Sequence, residues 1–424
     1  MKSSVKKIEG TAREINVTVP HDRVKDMVDK VVLDIRKEAV MPGFRKGNAP
    51  IDMIHTRFKD TIIDEVKKRL VPDVYEDVLS EHKLDPVSYP EISNLSLDVC
   101  TEKGMSFTVK VDIHPEVKLK NYKGIHVESK KIDVKDEEID KVMERLREAS
   151  AEFFNVDRPV QKGDVAVCFL EGFVGAKLVT KRETMWIIAE KESSLLGIGE
   201  EIVGLKQGEE KEITVTLPDD YTDKTYAGKA VNFKVKVKEV KEKKLPELND
   251  DLAKKHSKET LIELRNGIKD HILEDKERAN KSAMKDQIIN DLLKKHSFDL
   301  PESMVKRQGS FIAKKIEEDL EAKGVSKEAI EENKEKSKKE ILEVARKKVM
   351  KYFILFEIAE QEDIAVVAED VESELIKLSA TYGKDYETVR KYYEEKNLLG
   401  GLEEQIREDK TLDFLLAQAK IDVK

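Results

Sequence analysis

One short segment of the sequence joins residue types that bind partners strongly. Gly43-Phe44-Arg45-Lys46-Gly47 lies between Pro42 and Pro50, so glycine and proline punctuate a turn whose tip carries an aromatic ring and two cations. The arginine offers a planar fork for phosphate or carboxylate, the lysine adds a point charge, and an exposed phenylalanine can enter a small apolar pocket. The same residue types also build plain solvated turns, so the segment alone leaves both readings open. Other reactive constellations are missing. The histidines at 21, 55, 82, 114, 126, 256, 271 and 296 form no HExxH pattern and no local His/Cys cluster, so no metal and no cofactor is expected. There is no GxxxxGK[ST] loop and no GxSxG elbow, and Gly197, Gly199 and Gly204 read as turns, which argues against ATP-driven action. The acid pairs Glu200-Glu201 and Asp219-Asp220 are sequence neighbours and read as solvated surface rather than acid/base machinery.

The elements that must position the tip follow from periodicity. Ile15, Val17 and Val19 alternate with polar residues as a strand, and Pro20 ends the run. Val24, Met27, Val28, Val31, Val32 and Ile35 then share one face of a helix that stops before Pro42. Pro50 suits the first turn of a helix over 51–58, and an amphipathic helix over 61–79 follows. Strands are predicted at 91–99 and 105–113, the second in strict alternation from Met105 to Ile113. Residues 1–113 therefore form one α+β domain. A connector and helix over 114–157 lead to a β-rich insert at 158–244, where Gly-punctuated strands replace helical patterning. From 245 to 424 the chain is helical, with helix predicted over 258–296, either as one long element or broken within it. Stretches such as 331–340 are almost wholly polar, so these helices are expected to form extended arms with isolated apolar patches.

Composition bounds the setting. The 424 residues carry 78 Lys+Arg against 87 Asp+Glu, a formal charge of −9, which argues against a general nucleic-acid binder. Charged residues make up 39%, well above an average globular chain, so much of the surface is charged helix. Cys100 and Cys168 supply no disulfide framework, and a reducing compartment fits. The start MKSSVKKIEG has no apolar secretory core and no run approaches a membrane span, so a cytoplasmic protein without membrane partners is expected.

The stretch MPGFRKGNAP resembles the ribosome-binding signature of the trigger factor family, bacterial ribosome-associated chaperones, whose pattern is GFRxGxxP. Gly43, Phe44, Arg45, Gly47 and Pro50 match it. The likeness extends over the whole chain, through the order of α+β domain, β-rich insert and helical remainder and the segment Leu245-Pro246-Glu247-Leu248. The fold this implies is multidomain α+β: an N-terminal α+β ribosome-binding domain, an inserted FKBP-like β-rich domain, and an elongated all-helical C-terminal domain with arms. The resemblance assigns ribosome docking to Gly43, Phe44, Arg45, Lys46 and Gly47, beside ribosomal protein and rRNA at the tunnel exit. Nascent and unfolded polypeptides are the implied clients, free nucleic acid is not a partner, and a homodimer off the ribosome is a further expectation.

An FKBP-type domain implies prolyl isomerisation, which needs no nucleophile. The amide must lose planarity against a barrier of about 18–20 kcal/mol, and an apolar groove helps by holding the ring and excluding water. Aligned through Gly163-Asp164, Gly204 and Gly208-Glu209-Glu210, the family pattern places Phe169, Tyr221 and Phe233 in the groove, with Leu195 as a wall, Ile198 as the floor and Met185 beside Trp186. The sequence departs from the pattern at Leu178-Val179, Met185, Ser194 and Ile198, which removes ring surface and a polar anchor. The competing reading makes Phe169, Phe233 and Trp186 core residues of a domain that only holds peptides. On the helical part, Phe311, Ile312, Ile316 and Leu320 on one arm and Tyr352, Phe353 and Phe356 on another are candidate client contacts, against the alternative that they pack helix on helix. The expected function is an ATP-independent chaperone that holds nascent chains at the tunnel exit and isomerises prolyl bonds. A chain whose main task is isomerisation is the first alternative, and an exported chaperone of similar helical build is the second.

Overall fold

A computed structural model describes residues 1–98, 104–190, 198–217, 228–323, 325 and 327–424. The chain opens with an antiparallel pair, β1 (Lys2–Lys7) and β2 (Ala12–Val19), where the sequence suggested a single strand run. Three helices follow, α1 (His21–Glu38), α2 (Ile51–Arg57) and α3 (Lys59–His82), and then β3 (Glu91–Asp98) and β4 (Gly104–Asp112). The four strands form one antiparallel sheet in the order β1-β2-β4-β3. Ile15, Val17 and Val19 face Val109, Phe107 and Met105 across the β2/β4 ladder, all buried. Val24, Val28, Val31 and Val32 of α1, with Ile62, Val66, Leu70 and Val74 of α3, close the same core. Period-two and period-3.6 stripes thus meet face to face, as the pattern required.

The strand β5 (His126–Ser129) and helix α4 (Asp136–Ala149) come next. The β-rich part then contains β6 (Glu152–Asn155), β7 (Val165–Val174), β8 (Lys177–Ile188), the short helix α5 (Ile198–Glu201), β9 (Glu210–Thr216) and β10 (Ala230–Lys244). The sheet order is β6-β10-β7-β8, and β9 also pairs with β10. Its packed face holds Ala166, Cys168, Leu170, Ile187, Ile198, Ile202, Ile213, Phe233, Val235 and Val237.

The helical remainder is α6 (Asp250–Lys255), α7 (Leu261–Lys295), α8 (Glu302–Ala322), α9 (Lys327–Gln361), α10 (Ala368–Tyr382), α11 (Tyr386–Glu395) and α12 (Leu399–Ala417). The helix expected over 258–296 is one unbroken element of 35 residues. Asn249 caps α6 by accepting from the Asp251 and Leu252 amides, and Asp385 caps α11 through the Thr388 amide. The chain ends in β11 (Lys420–Val423), which pairs with β5 and was not foreseen.

Contacts divide the chain into two compact units, each drawn from separated stretches. The first comprises 1–126, 285–316 and 334–420. Within it, Asp112 is buried and accepts hydrogen bonds from the Thr11 hydroxyl at 3.1 Å, the Ser303 amide at 3.1 Å and the Ser303 hydroxyl. A carboxylate on the last residue of β4 thus satisfies free donors in the first turn of α8. In the same unit the Tyr122 hydroxyl donates to Glu362 at 2.5 Å and Lys123 pairs with that carboxylate at 2.7 Å. The hydrogen bond to Glu362, with some burial, pushes the Tyr122 phenol up to about 12. Leu375, Val389, Leu402 and Ile406 form a small core among α10, α11 and α12. The second unit comprises 127–284, 317–333 and 421–424. There Ile139 and Met143 of α4 pack on Leu264 and Ile268 of α7, and Arg265 bridges Asp136 and Asp140.

Candidate functional site

The segment between α1 and α2 is pinned at both ends and open in the middle. Met41 and Ala49 are buried in the core of the first sheet and its helices. Between them two turns follow one another: the Phe44 amide donates to the Met41 carbonyl at 3.1 Å and the Asn48 amide to the Arg45 carbonyl at 2.9 Å. Gly43 and Gly47 occupy the third position of each turn with φ of +86° and +87°, and Pro42 fills the second position of the first. That is the residue pattern of type II turns. An added Cβ would meet nothing within 4 Å at either glycine, so the backbone dihedral alone calls for glycine there. Phe44 is 40% exposed, and Arg45 and Lys46 are exposed without an ion-pair partner among the described residues. The loop therefore presents a ring and two cations that no ion pair among the described residues neutralises.

The sheet of the β-rich part separates the residues expected to share a groove. Phe233 pairs with Gly172, Val235 with Leu170 and Val237 with Cys168, all on the packed face. Phe169 pairs with Lys236 and so lies on the opposite face, half-buried, with Lys181 and Lys238 5.3 and 6.0 Å from its ring centre. The expectation that Phe169 and Phe233 line one groove is therefore corrected. Side chains alternate along a strand, and an alignment one residue out exchanges the faces, so Leu170 holds the inward place. The Phe233 ring lies over bare backbone: a Cβ at Gly172 would come within 2.8 Å of it. Ile198 is wholly buried in this core, and Met185 is half-buried against it. Leu195 and Tyr221 lie outside the described residues, as does Ser194. Burial pushes the Cys168 thiol in the same core up to about 12. Trp186 is not a core residue, contrary to the competing reading. It is 52% exposed, packs edge-to-face on Phe153 at 5.5 Å, and has Lys241 at 5.6 Å from its ring centre.

On the helices, Phe311 and Ile316 are exposed, at 63% and 41%, while Ile312 and Leu320 are half-buried. Phe353 is wholly buried, edge-on to His114 at 4.9 Å and to Tyr352 at 5.1 Å, so it packs helix α9 and offers no client contact. Tyr352 and Phe356 are half-buried and line a cavity of about 770 Å³ within the first unit, with Tyr89, His114, Met304 and Arg307. Burial first, and then the Glu404 charge, raise the Tyr352 phenol above its ordinary value. His114 donates through Nδ1 to the Pro115 carbonyl at 3.0 Å, and its buried Nε2 has no partner among the described residues. Sequence reasoning passed over Tyr89 and Met304 and weighed His114 only as a metal ligand. A tyrosine beside Pro90 and an isolated methionine carry no periodic signal, and only the packing places them together.

The fold and the loop define a scaffold of an α+β part with a cationic aromatic tip, a β-rich part and a helical remainder. Comparison with known proteins gives its family. The family model for bacterial trigger factor protein matches residues 1–146, and that for the trigger factor C-terminus matches 260–417. The trigger factor of Geotalea uraniireducens is 32% identical over 429 residues, covering 100% of this chain and 98% of its own. That of Caldicellulosiruptor bescii is 32% identical, covering 96% and 94%. A solved trigger factor chaperone, studied for promiscuous substrate recognition, superposes with a TM-score of 0.48 at 22% identity, over 98% of this chain and 99% of its own. The chain belongs to the trigger factor family.

Proposed function

We propose that this chain is an ATP-independent chaperone that docks on the ribosome through Phe44, Arg45 and Lys46 and holds nascent and unfolded polypeptides on its exposed apolar patches. The observation that carries the docking step is the loop itself. Its ends are buried, its two glycines hold positive φ, and its ring and cations face solvent. A tip so built adds little to the core, which leaves it free for a partner. Phosphates of rRNA and carboxylates of ribosomal protein both suit an arginine fork. Phe311 and Ile316 on α8 support client holding, since exposed aliphatic and aromatic side chains among charged ones give weak, reversible contacts. No helix of the described residues is long and apolar enough to cross a membrane, which fits work in the cytoplasm.

The test is cosedimentation with ribosomes. Replacing Phe44, Arg45 and Lys46 together by alanine abolishes it while the unfolding temperature stays unchanged. Unaltered binding removes the loop from the mechanism.

A second reading, prolyl isomerisation by the β-rich part, is favoured by its inward face, where Phe233, Leu170, Met185 and Ile198 stay apolar. The full chain then accelerates cis-to-trans conversion of a short Xaa-Pro peptide, and Phe233→Ala abolishes the acceleration in protein that is still folded. No acceleration by the wild type leaves holding as the whole activity.

A further inference from the structure

The formal charge of −9 is unevenly spread, and two helical runs carry the opposite sign. In α8 the run 306–315 holds Lys306, Arg307, Lys314 and Lys315 and no acid. In α9 the run 336–351 includes Lys336, Lys339, Arg346, Lys347, Lys348 and Lys351, against Glu340 and Glu343 as its acids. The two runs lie side by side. A Cβ at Gly309 of α8 would come within 3.4 Å of Leu342 and 3.9 Å of Ala345 and Ile341 on α9, and Arg307, Lys348 and Lys351 line one cavity. Ile341, Ala345 and Val349 are the buried stripe of α9, so helical spacing turns Lys339, Arg346 and Lys347 to the opposite, solvent side.

Few of these charges are answered. Arg346 pairs with Glu302 and Lys351 with Glu408, whereas Arg307, Lys339, Lys347 and Lys348 are exposed and have no ion-pair partner among the described residues. The further acids at the shared cavity are Asp85 and Glu404, so the patch keeps a positive balance. Both runs belong to the first compact unit, which also holds the docking loop.

We infer that these two runs form a second contact on the ribosome, which binds the sugar–phosphate backbone of rRNA without reading its sequence. RNA is favoured over an acidic polypeptide because both runs are continuous helix, whose main-chain groups are bonded internally, so a peptide finds no main-chain pairing there. RNA carries a charge at every nucleotide, and helix side chains three or four residues apart stand about 5–6 Å from one another, so a regularly charged strand engages several together. Such contacts position a protein and carry no sequence information. The inference rests on the ribosome-docking reading for the identity of its partner, and the contact adds to the loop rather than replacing it.

The test is a ribosome-binding titration of the full chain between 50 and 200 mM salt. Arg307→Ala/Lys339→Ala/Lys347→Ala/Lys348→Ala removes four exposed cations of the patch, and Lys162→Ala/Lys206→Ala/Lys229→Ala/Lys236→Ala removes four exposed lysines of the β-rich part as the control. Each phosphate contact contributes about 0.7–0.9 to the slope of log affinity against log salt. The patch variant therefore lowers the slope by about three, and its deficit against wild type is about 60-fold larger at 50 than at 200 mM salt. The control keeps the wild-type slope. A control that loses as much slope as the patch variant makes the effect one of net charge and overturns the site. In a second measurement a labelled RNA hairpin binds the wild-type chain, more weakly the patch variant, and polyglutamate of equal charge displaces it poorly. Equal displacement by polyglutamate overturns the RNA assignment. Wild-type affinity and slope in the patch variant refute this inference alone, whereas no ribosome binding by the wild type refutes the docking reading beneath it.

Discussion

Gly43 and Gly47 separate the geometry of the loop from its chemistry. Changing both to alanine leaves Phe44, Arg45 and Lys46 in place and adds two methyl groups that meet nothing within 4 Å, so no steric clash enters. What remains is the cost of holding an L-residue at φ of +86° and +87°. That cost is about 1–2 kcal/mol per position, hence about 2–4 kcal/mol for the pair. Because the loop ends are fixed by buried Met41 and Ala49 while its middle is free, the cheaper response is for the tip to leave the two-turn conformation. The docking-competent form then becomes a minor population, and apparent ribosome affinity falls by its fraction, roughly 30- to 1,000-fold. The assay is a ribosome-binding titration of wild type, the double alanine variant and the Phe44/Arg45/Lys46 triple alanine variant, beside thermal unfolding of each. The expected result is an affinity loss in the double variant with little loss of stability. A weakening of less than about threefold with unchanged unfolding would refute the claim that the turn geometry presents the tip.

Three further outcomes are expected. Asp112→Ala strips the acceptor from Thr11 and the first turn of α8, costing about 2–4 kcal/mol, so the Ser303 amide exchanges with solvent about 30- to 1,000-fold faster; an unchanged rate shows that the carboxylate does not hold that helix end. Tyr122 is held neutral by Glu362, with its phenol at about 12 against 10.0 for an ordinary one. Its contribution to stability is therefore whole below pH 10 and is lost as pH rises through about 12, while the lowered Glu362 carboxyl gives a contribution that is lost as acid protonates it. The unfolding temperatures of wild type and Tyr122→Phe should converge across that alkaline window, and parallel curves would rule the pair out. Finally, Phe233→Ala should destabilise the β-rich part by about 3–5 kcal/mol and Phe169→Ala by about 1 kcal/mol or less, read by Trp186 emission in denaturant; equal losses would mean that the two rings share one core.

Much of this was legible in the residues. Alternation at Ile15 to Val19 and Met105 to Val111, and the α1 stripe from Val24 to Val32, carry their own period, and the structure keeps those faces. The loop was legible because glycine and proline are required by local dihedrals, which do not depend on distant chain. The sheet faces were harder. Phe169 and Leu170 are both apolar, so composition does not say which faces inward, and the bulges of β7 against β8 disturb the count. Trp186 was weighed as core because it is large and apolar. It is instead 52% exposed and packs edge-to-face on Phe153, a residue 33 positions earlier. β11 was missed because four residues at the end of a helical region have too short a period to detect.

The pairing of β11 with β5 orders the making of the molecule in time. The Lys420 amide donates to the Ile125 carbonyl and the Lys424 amide to the Ser129 carbonyl, so a strand synthesised early waits for a partner nearly three hundred residues downstream. Both compact units also include chain from beyond residue 316, so neither can close while only its first stretch has been translated. Contacts this far apart in sequence are slow to form and leave partly folded chain exposed. During its own synthesis the protein is thus an unfinished polypeptide with uncovered apolar faces, the kind of client that finished copies of itself are built to hold.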